Sequence, residues 1–434
     1  MLRPPLSLVL VLAAAADLSG QQPASAPGDN SRPILVRAAR YLDVDKGLYV
    51  SPAVILVDSG RIAGINPKKV SPDYPVVDLG NLTLLPGLID LHTHLTSTDG
   101  PDWATDPVTK SAADAALLGV INGRKTLLAG FTTVRDVGAY DFADVALARG
   151  FATGALAGPR MVPSGNALGI TGGHCDVTGF APGVRERSPE DGIADGPDQF
   201  VRAARYQIKH GAKVIKVCAT AGVFSFEGSV GAQQMSAEEL RAVVEEASRH
   251  GIRVAAHAHG PEGMIAAAKA GVTSIEHGSL LTDEAARVLK QQGTWYIPNV
   301  YLAEAIDTVS MPPAIRAKAR TMRQGVAQSF GMALKGGLKI GFGTDAGVYP
   351  HGLNGREFGA RTRRGMRPLE AIRGATSHAA DVLGLSDRGT IGYGKVADLI
   401  GVAGDPLQDV TTLEDVKCVM MDGTVYKGPG AATP

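Results

Sequence analysis

Apolar and polar positions along the chain fall into two textures. From Pro33 to Leu85 the apolar residues come in short runs, "PILVRAARYLDV", "AVILVDSGRIAGI" and "PVVDLGNLTLLPG", each closed by Gly, Pro or Asp. Short runs rich in β-branched residues and bounded by turn formers predict strands. The far end repeats this texture in "VADLIGVAGDP", "KCVMMDG" and "TVYKG". The two ends are therefore expected to pair into one small sheet domain.

Between them the pattern alternates: an apolar run, a glycine-marked turn, then a helix-length amphipathic segment. Examples are "GFTTVRDVG", "GAKVIKVCATAGV", "EELRAVVEEASRHG" followed by "IRVAAHAHG", "PEGMIAAAKAG" followed by "VTSIEHGS", and "GMALKGGLKIGFGTDAG". Strand and helix in alternation predict a parallel sheet, most economically a closed (β/α)8 TIM barrel. The expected organisation is an α/β fold with a leader over 1–31, the first part of a β-sandwich over 32–85, the barrel over 86–388 and the rest of the sandwich over 389–434.

The start changes the picture of where the protein works. Arg3, an apolar run from Leu6 to Ala16 and a following Pro/Ser/Gly stretch have the layout of a secretory signal peptide. That run is too short to span a membrane, and no later run is long and apolar enough to do so. An exported protein without a membrane anchor is expected. Charge excludes other classes: 43 Lys+Arg balance 43 Asp+Glu, so neither a nucleic-acid surface nor an acidic tail is indicated. The three cysteines, Cys175, Cys218 and Cys418, have no zinc-finger spacing and are too few for a disulfide framework. No bridge is expected among them.

Candidate chemistry sits where apolar runs end. In "LIDLHTHL" His92 and His94 lie two apart, which in a strand puts both imidazoles on one face. Taken alone, such a pair also fits satisfied core histidines. Comparable run ends carry Lys216, His257, His277 and Asp345, and the carboxyl ends of barrel strands form the active face of that fold. Nitrogen and carboxylate donors in this number suit zinc or a similar divalent ion. They exceed one tetrahedral ion and fit two ions roughly 3.5 to 4 Å apart. Lys213, three residues before Lys216, belongs to the opposite strand face. Arg135 and Asp136, ending the second strand, are read as structural ion-pair formers.

The segments "PGLIDLHTHL", "GFTTVRDVG", "TGGHCD", "GAKVIKVCATAGVFS", "VAAHAHG", "SIEHGS", "GTDAG" and "GKVADLIGVAGDPL" together resemble the amidohydrolase superfamily. Within it they are most similar to the Xaa-Pro/Xaa-Arg dipeptidase group of metal-dependent carboxypeptidases, which includes ochratoxin-hydrolysing members. The resemblance covers nearly all of the chain after the leader. It implies two Zn2+ ions, one held by His92 and His94, the other by His257 and His277, with Asp345 on the former and carboxylated Lys216 bridging both. A neutral lysine that adds CO2 becomes an anionic ligand, which an ammonium cannot be. The resemblance also implies that His174 and His259 bind the substrate carboxylate and that the protein forms a homo-oligomer. Tyr349 and His351, just after Asp345, are further candidates for the pocket wall.

The implied activity is hydrolysis of the amide before a C-terminal amino acid, in Xaa-Arg/Lys dipeptides or N-acyl amino acids, with ochratoxin A as one such substrate. Asp345 would be the proton-transfer residue. A cyclic amide hydrolase of the imidazolonepropionase type is the competing enzyme reading, although such enzymes usually lack a ligand lysine. A non-catalytic scaffold on the same fold would be expected to have lost ligand residues, and here every position is filled. The preferred C-terminal residue is not legible.

Overall fold

The computed structural model describes residues 32–97, 104–306 and 311–431. The signal-peptide expectation falls outside the described residues. Both chain ends do share sheets. Leu399–Val402 runs antiparallel to Thr83–Pro86, with Leu399 opposite Pro86 and Val402 opposite Thr83, inside a six-stranded sheet. A four-stranded sheet of N-terminal strands, centred on Ile34–Ala38 and Ala53–Asp58, lies beside it. Val36, Ile55 and Val57 from the second sheet, with Leu84, Leu399 and Met420 from the first, form one buried cluster. The alternating burial of Ala53–Asp58, one residue in and the next partly out, follows from this one-sided packing.

The middle of the chain is parallel. Leu88–Thr93 pairs with Phe131–Asp136, which pairs with Arg160–Pro163. Leu168 bridges onward to Val217, and Val214–Cys218, Arg253–Ala258, Ser274–His277 and Trp295–Ile297 follow in order. Tyr296 then bridges to Ile340, and Ala346 bridges to Thr93. The pairing thus returns to the strand from which it began. Leu88–Thr93, Phe131–Asp136 and Val214–Cys218 are buried at every residue, as expected for strands covered on both faces.

Helices cover the outside for local reasons. Ala237–Arg249 starts at a reciprocal capping box between Ser236 and Glu239 and buries Leu240, Val243 and Ala247 at helical spacing. Pro197–His210 and Pro261–Ala270 start on proline and stop at Gly211 and Gly271, both left-handed. Each stop turns the chain back into the next strand, so successive strands point the same way. Their carboxyl ends therefore gather on one side of the molecule. No helix among the described residues is long and apolar enough to cross a membrane.

Candidate metal centre and substrate cavity

His92 lies near the end of Leu88–Thr93, and His94 follows it; their ring centroids are 5.4 Å apart. Lys216 lies in Val214–Cys218, His257 in Arg253–Ala258, and His277 ends Ser274–His277. Asp345 follows the Ile340 bridge, with its amide donating to the His92 carbonyl at 2.7 Å. His277 and Asp345 both adopt left-handed backbone, with φ of 68° and 61°. Non-glycine residues avoid this region unless their surroundings enforce it, and such strain gathers at functional sites. The left-handed turn ends the strand at His277, and both side chains stay buried.

Two groups of donor atoms result. In one, His92, His94 and Asp345 bring their atoms within 4.8 Å of one another; in the other, His257, His259 and His277 do the same. Asp345 joins them. Its Oδ1 lies 3.4 Å from Nε2 of both His92 and His94, and its Oδ2 lies 3.9 Å from His277 Nδ1. His92 Nδ1 donates to Glu276 Oε2 at 2.9 Å, and His94 Nδ1 donates to the Gly138 carbonyl at 3.0 Å. Both Nε2 atoms are left facing a carboxylate oxygen, a place for a proton or a cation. His257 Nε2 is buried with no hydrogen-bond partner among the described residues. An orphaned imidazole nitrogen beside converging donors fits a metal ligand.

The electrostatics agree. Burial pushes the Asp345 carboxyl up, but the surrounding imidazoles of His92, His94 and His277 outweigh it and hold it well below the usual carboxylate range. Burial drives His257 and His277 well below the ordinary imidazole value, leaving the neutral form that ligates metals. Lys216 is lowered to about 8, by burial against the opposing pull of Glu276 and Asp345. At that value part of the amine is uncharged near neutral pH, as carbamate formation requires.

A cavity of about 250 Å³ opens over these groups. His174 and His259 both line it. His174 Nδ1 donates to Ser225 Oγ at 2.8 Å, because Ser225 spends its own proton on Glu227 Oε1 at 2.6 Å. A Cβ on Gly222 would stand only 2.2 Å from the His174 ring, so the glycine makes room for it. His259 stacks on His277 at 4.8 Å, and its grouping with His257 and His277 keeps it a competitor for ligation.

Several expectations need correction. Tyr349 and His351 do not line the cavity. Tyr349 is buried against Leu302 and Ala346, and His351 points its Nε2 at the Ser97 carbonyl, 3.2 Å away. Of the turn that follows Asp345, Val348 reaches the cavity wall instead. Cys175 and Cys218, expected to be unbridged, form a disulfide with Cα atoms 5.9 Å apart, tying the His174 loop to the Lys216 strand. Lys213 is exposed, and Arg135 is structural as expected, donating to Glu276 Oε1 at 2.7 Å and to the Leu91 carbonyl at 2.6 Å. Asp136 instead accepts from the Leu95 amide. Glu276 itself was missed, although its place beside His277 in "SIEHGS" was visible. Burial pushes its carboxyl up, but the Arg135 charge, the His92 hydrogen bond and the Lys216 charge together outweigh burial and hold it at about 2.

A model of the amidohydrolase family matches residues 83–426. The chain is 34% identical to ochratoxinase of Aspergillus niger over 372 residues, which cover 80% of this chain and 76% of that protein. It is 27% identical over 386 residues to imidazolonepropionase of Deinococcus radiodurans, covering 83% and 88%. The crystal structure of a Xaa-Pro dipeptidase with methionine bound in its active site matches with a TM-score of 0.87 at 36% identity, covering 91% of this chain and 100% of that one.

Proposed function

The chain belongs to the amidohydrolase family, and from that premise we propose that it is a binuclear-zinc enzyme that releases the C-terminal amino acid from dipeptides or N-acyl amino acids. It is a hydrolytic enzyme acting on amide bonds. The observation that carries the finer reading is the pair of donor groups joined by Asp345, with buried Lys216 lining the same cavity. Under this reading the parallel ring is a (β/α)8 barrel over 86–388, and 32–85 with 389–434 form a β-sandwich.

His92, His94 and Asp345 would hold one ion, His257 and His277 the other, and carboxylated Lys216 would bridge them. When bound, such a pair acidifies water and polarises a carbonyl. The chain's residues do the rest. Asp345, kept ionised by its imidazoles, takes the proton of the attacking water at a carboxylate oxygen and passes it to the leaving amine. The hydrogen bond from its amide to the His92 carbonyl fixes its position for that transfer. His174 and His259 orient the free carboxylate of the substrate, and the apolar side chains of Val223, Phe224 and Met322 exclude water beside it.

The Aspergillus relative and the methionine-bound dipeptidase support a substrate with a free carboxylate, and ochratoxin A, an amide of phenylalanine, belongs to the same class. A signal-like start and a bridged cysteine pair both suit export to an oxidising compartment. Exposed Leu117 and Ile121, one turn apart on the Ala112–Leu128 helix, suit a homo-oligomer, which light scattering would test.

The decisive experiment measures amino-acid release from N-acyl amino acids and dipeptides ending in Arg, Lys, Pro or Phe, and from ochratoxin A, with zinc-loaded and chelated protein. Metal-dependent release concentrated on one carboxyl-terminal class is expected. Silence across the panel with zinc bound would transfer the reading to a cyclic amide.

A further inference from the structure

Arg187 stands in the wall of the same cavity, beside Tyr140, His174 and Cys175. Its guanidinium is fixed without being neutralised. Nη1 donates to the Cys175 carbonyl at 2.8 Å, and Nη2 donates to Asn166 Oδ1 at 3.1 Å and to the Asp191 carbonyl. All three acceptors are uncharged. Among the described residues no carboxylate comes within ion-pair distance of it, and its buried Nε has no partner.

The carboxylates nearby are occupied elsewhere. Asp176 accepts from the Gly172 and Val177 amides at 2.8 Å each, and Asp191 accepts from the Ser188 amide and hydroxyl. Neighbouring Arg185 faces Asp141 at 3.8 Å, and Lys318 faces Glu227 at 3.8 Å. Arg187 therefore differs from the other cations around the cavity mouth. Lys216 is the other lysine or arginine lining the cavity, and the proposed metal bridge consumes its charge. The histidines are cations only when protonated, whereas a guanidinium always is.

A half-buried cation whose hydrogen bonds go only to neutral acceptors, with its guanidinium carbon 5.2 Å from the Tyr140 ring, keeps its charge free to pair with an anion. Three fixed hydrogen bonds also remove most of the side chain's freedom in advance, which favours a ligand. The Cys175–Cys218 bridge ties its carbonyl partner to the Lys216 strand, so the charge is held at a set place relative to the reacting centre. We infer that Arg187 is the fixed counter-ion of the substrate's carboxylate and makes this enzyme prefer free acids over their neutral analogues. This rests on the amide-hydrolase reading only in taking the substrate carboxylate as the anion.

The test compares wild-type, Arg187→Gln and Arg187→Lys proteins, zinc-loaded, on N-acetyl derivatives of Met, Phe, Pro and Arg as free acids and as C-terminal carboxamides. Binding of the four free amino acids and of their amides is measured in parallel. A charged hydrogen-bonded contact corresponds to about 10- to 100-fold in affinity. Arg187→Gln is expected to raise KM for the acids by that factor with little change in kcat, to leave carboxamide turnover within about threefold, and to be partly rescued by Arg187→Lys. Undiminished acid preference in Arg187→Gln overturns the inference, as does equal loss on acids and carboxamides, which marks a merely structural arginine. If nothing is turned over, the reading as an enzyme that releases C-terminal amino acids fails and binding decides. Acid-over-amide preference that vanishes in Arg187→Gln still supports the counter-ion; preference that survives, or is absent in wild type, overturns it.

Discussion

The two donor groups differ in what stands behind them. Behind His92 and His94 lie a buried carboxylate and a backbone carbonyl, Glu276 Oε2 and Gly138 O, each holding an Nδ1. Arg135 in turn fixes Glu276, and Asp90 accepts from the His92 amide at 3.1 Å and from Thr344 Oγ1 at 2.6 Å. Behind His257, His259 and His277 the support is thinner: His259 Nδ1 meets Ser279 Oγ at 3.0 Å, and His257 Nε2 has no partner among the described residues. One group is preorganised and anionic; the other is neutral and completed by whatever it binds. A carboxylate-backed imidazole is the more basic ligand, so the first group should keep its metal longer.

The strongest way to probe this contrast is at Asp345, which both groups touch. Asp345→Asn should lower kcat by about 10²- to 10⁴-fold, the usual worth of a positioned proton carrier, while metal analysis still finds most of the metal bound. Near-normal turnover would end its assignment. Glu276→Gln should weaken metal at the His92 side by about 10- to 100-fold, with the His257 side unchanged, as read by chelator competition. Equal loss from both sides would dissolve the comparison.

Effects away from the donor groups should be smaller. Gly222→Ala places a methyl 2.2 Å from the His174 ring, so KM for acyl amino acids should rise about tenfold with kcat nearly kept, and crystallography should find the ring displaced. Tyr349→Phe should change KM by about twofold or less, because the hydroxyl is buried outside the cavity. A larger rise in KM would restore Tyr349 to the pocket wall.

Much of this was legible in local pattern. His92, His94, Lys216, His257, His277 and Asp345 could be found because each ends an apolar run, and the structure gathers all six around one cavity. The pairing of the chain ends followed from their shared strand texture, seen in Leu399–Val402 against Thr83–Pro86. Arg187 was not legible, since "GVRERSPEDG" carries no periodicity and its partners Asn166, Cys175 and Asp191 come from separate turns.

The sequence by itself determined the order of strands and helices and the identity of the converging side chains, because side-chain period, proline starts and glycine stops act over a few residues. Tertiary structure alone decided which groups meet. It bridged Cys175 to Cys218, which lie 43 positions apart and pair only because the loop folds back over the strand. It set Glu276 behind His92 across 184 positions, packed Tyr349 against Leu302 and Ala346, and pointed His351 at the Ser97 carbonyl. Such meetings depend on backbone angles, like the left-handed ones of His277 and Asp345, that the surrounding packing enforces.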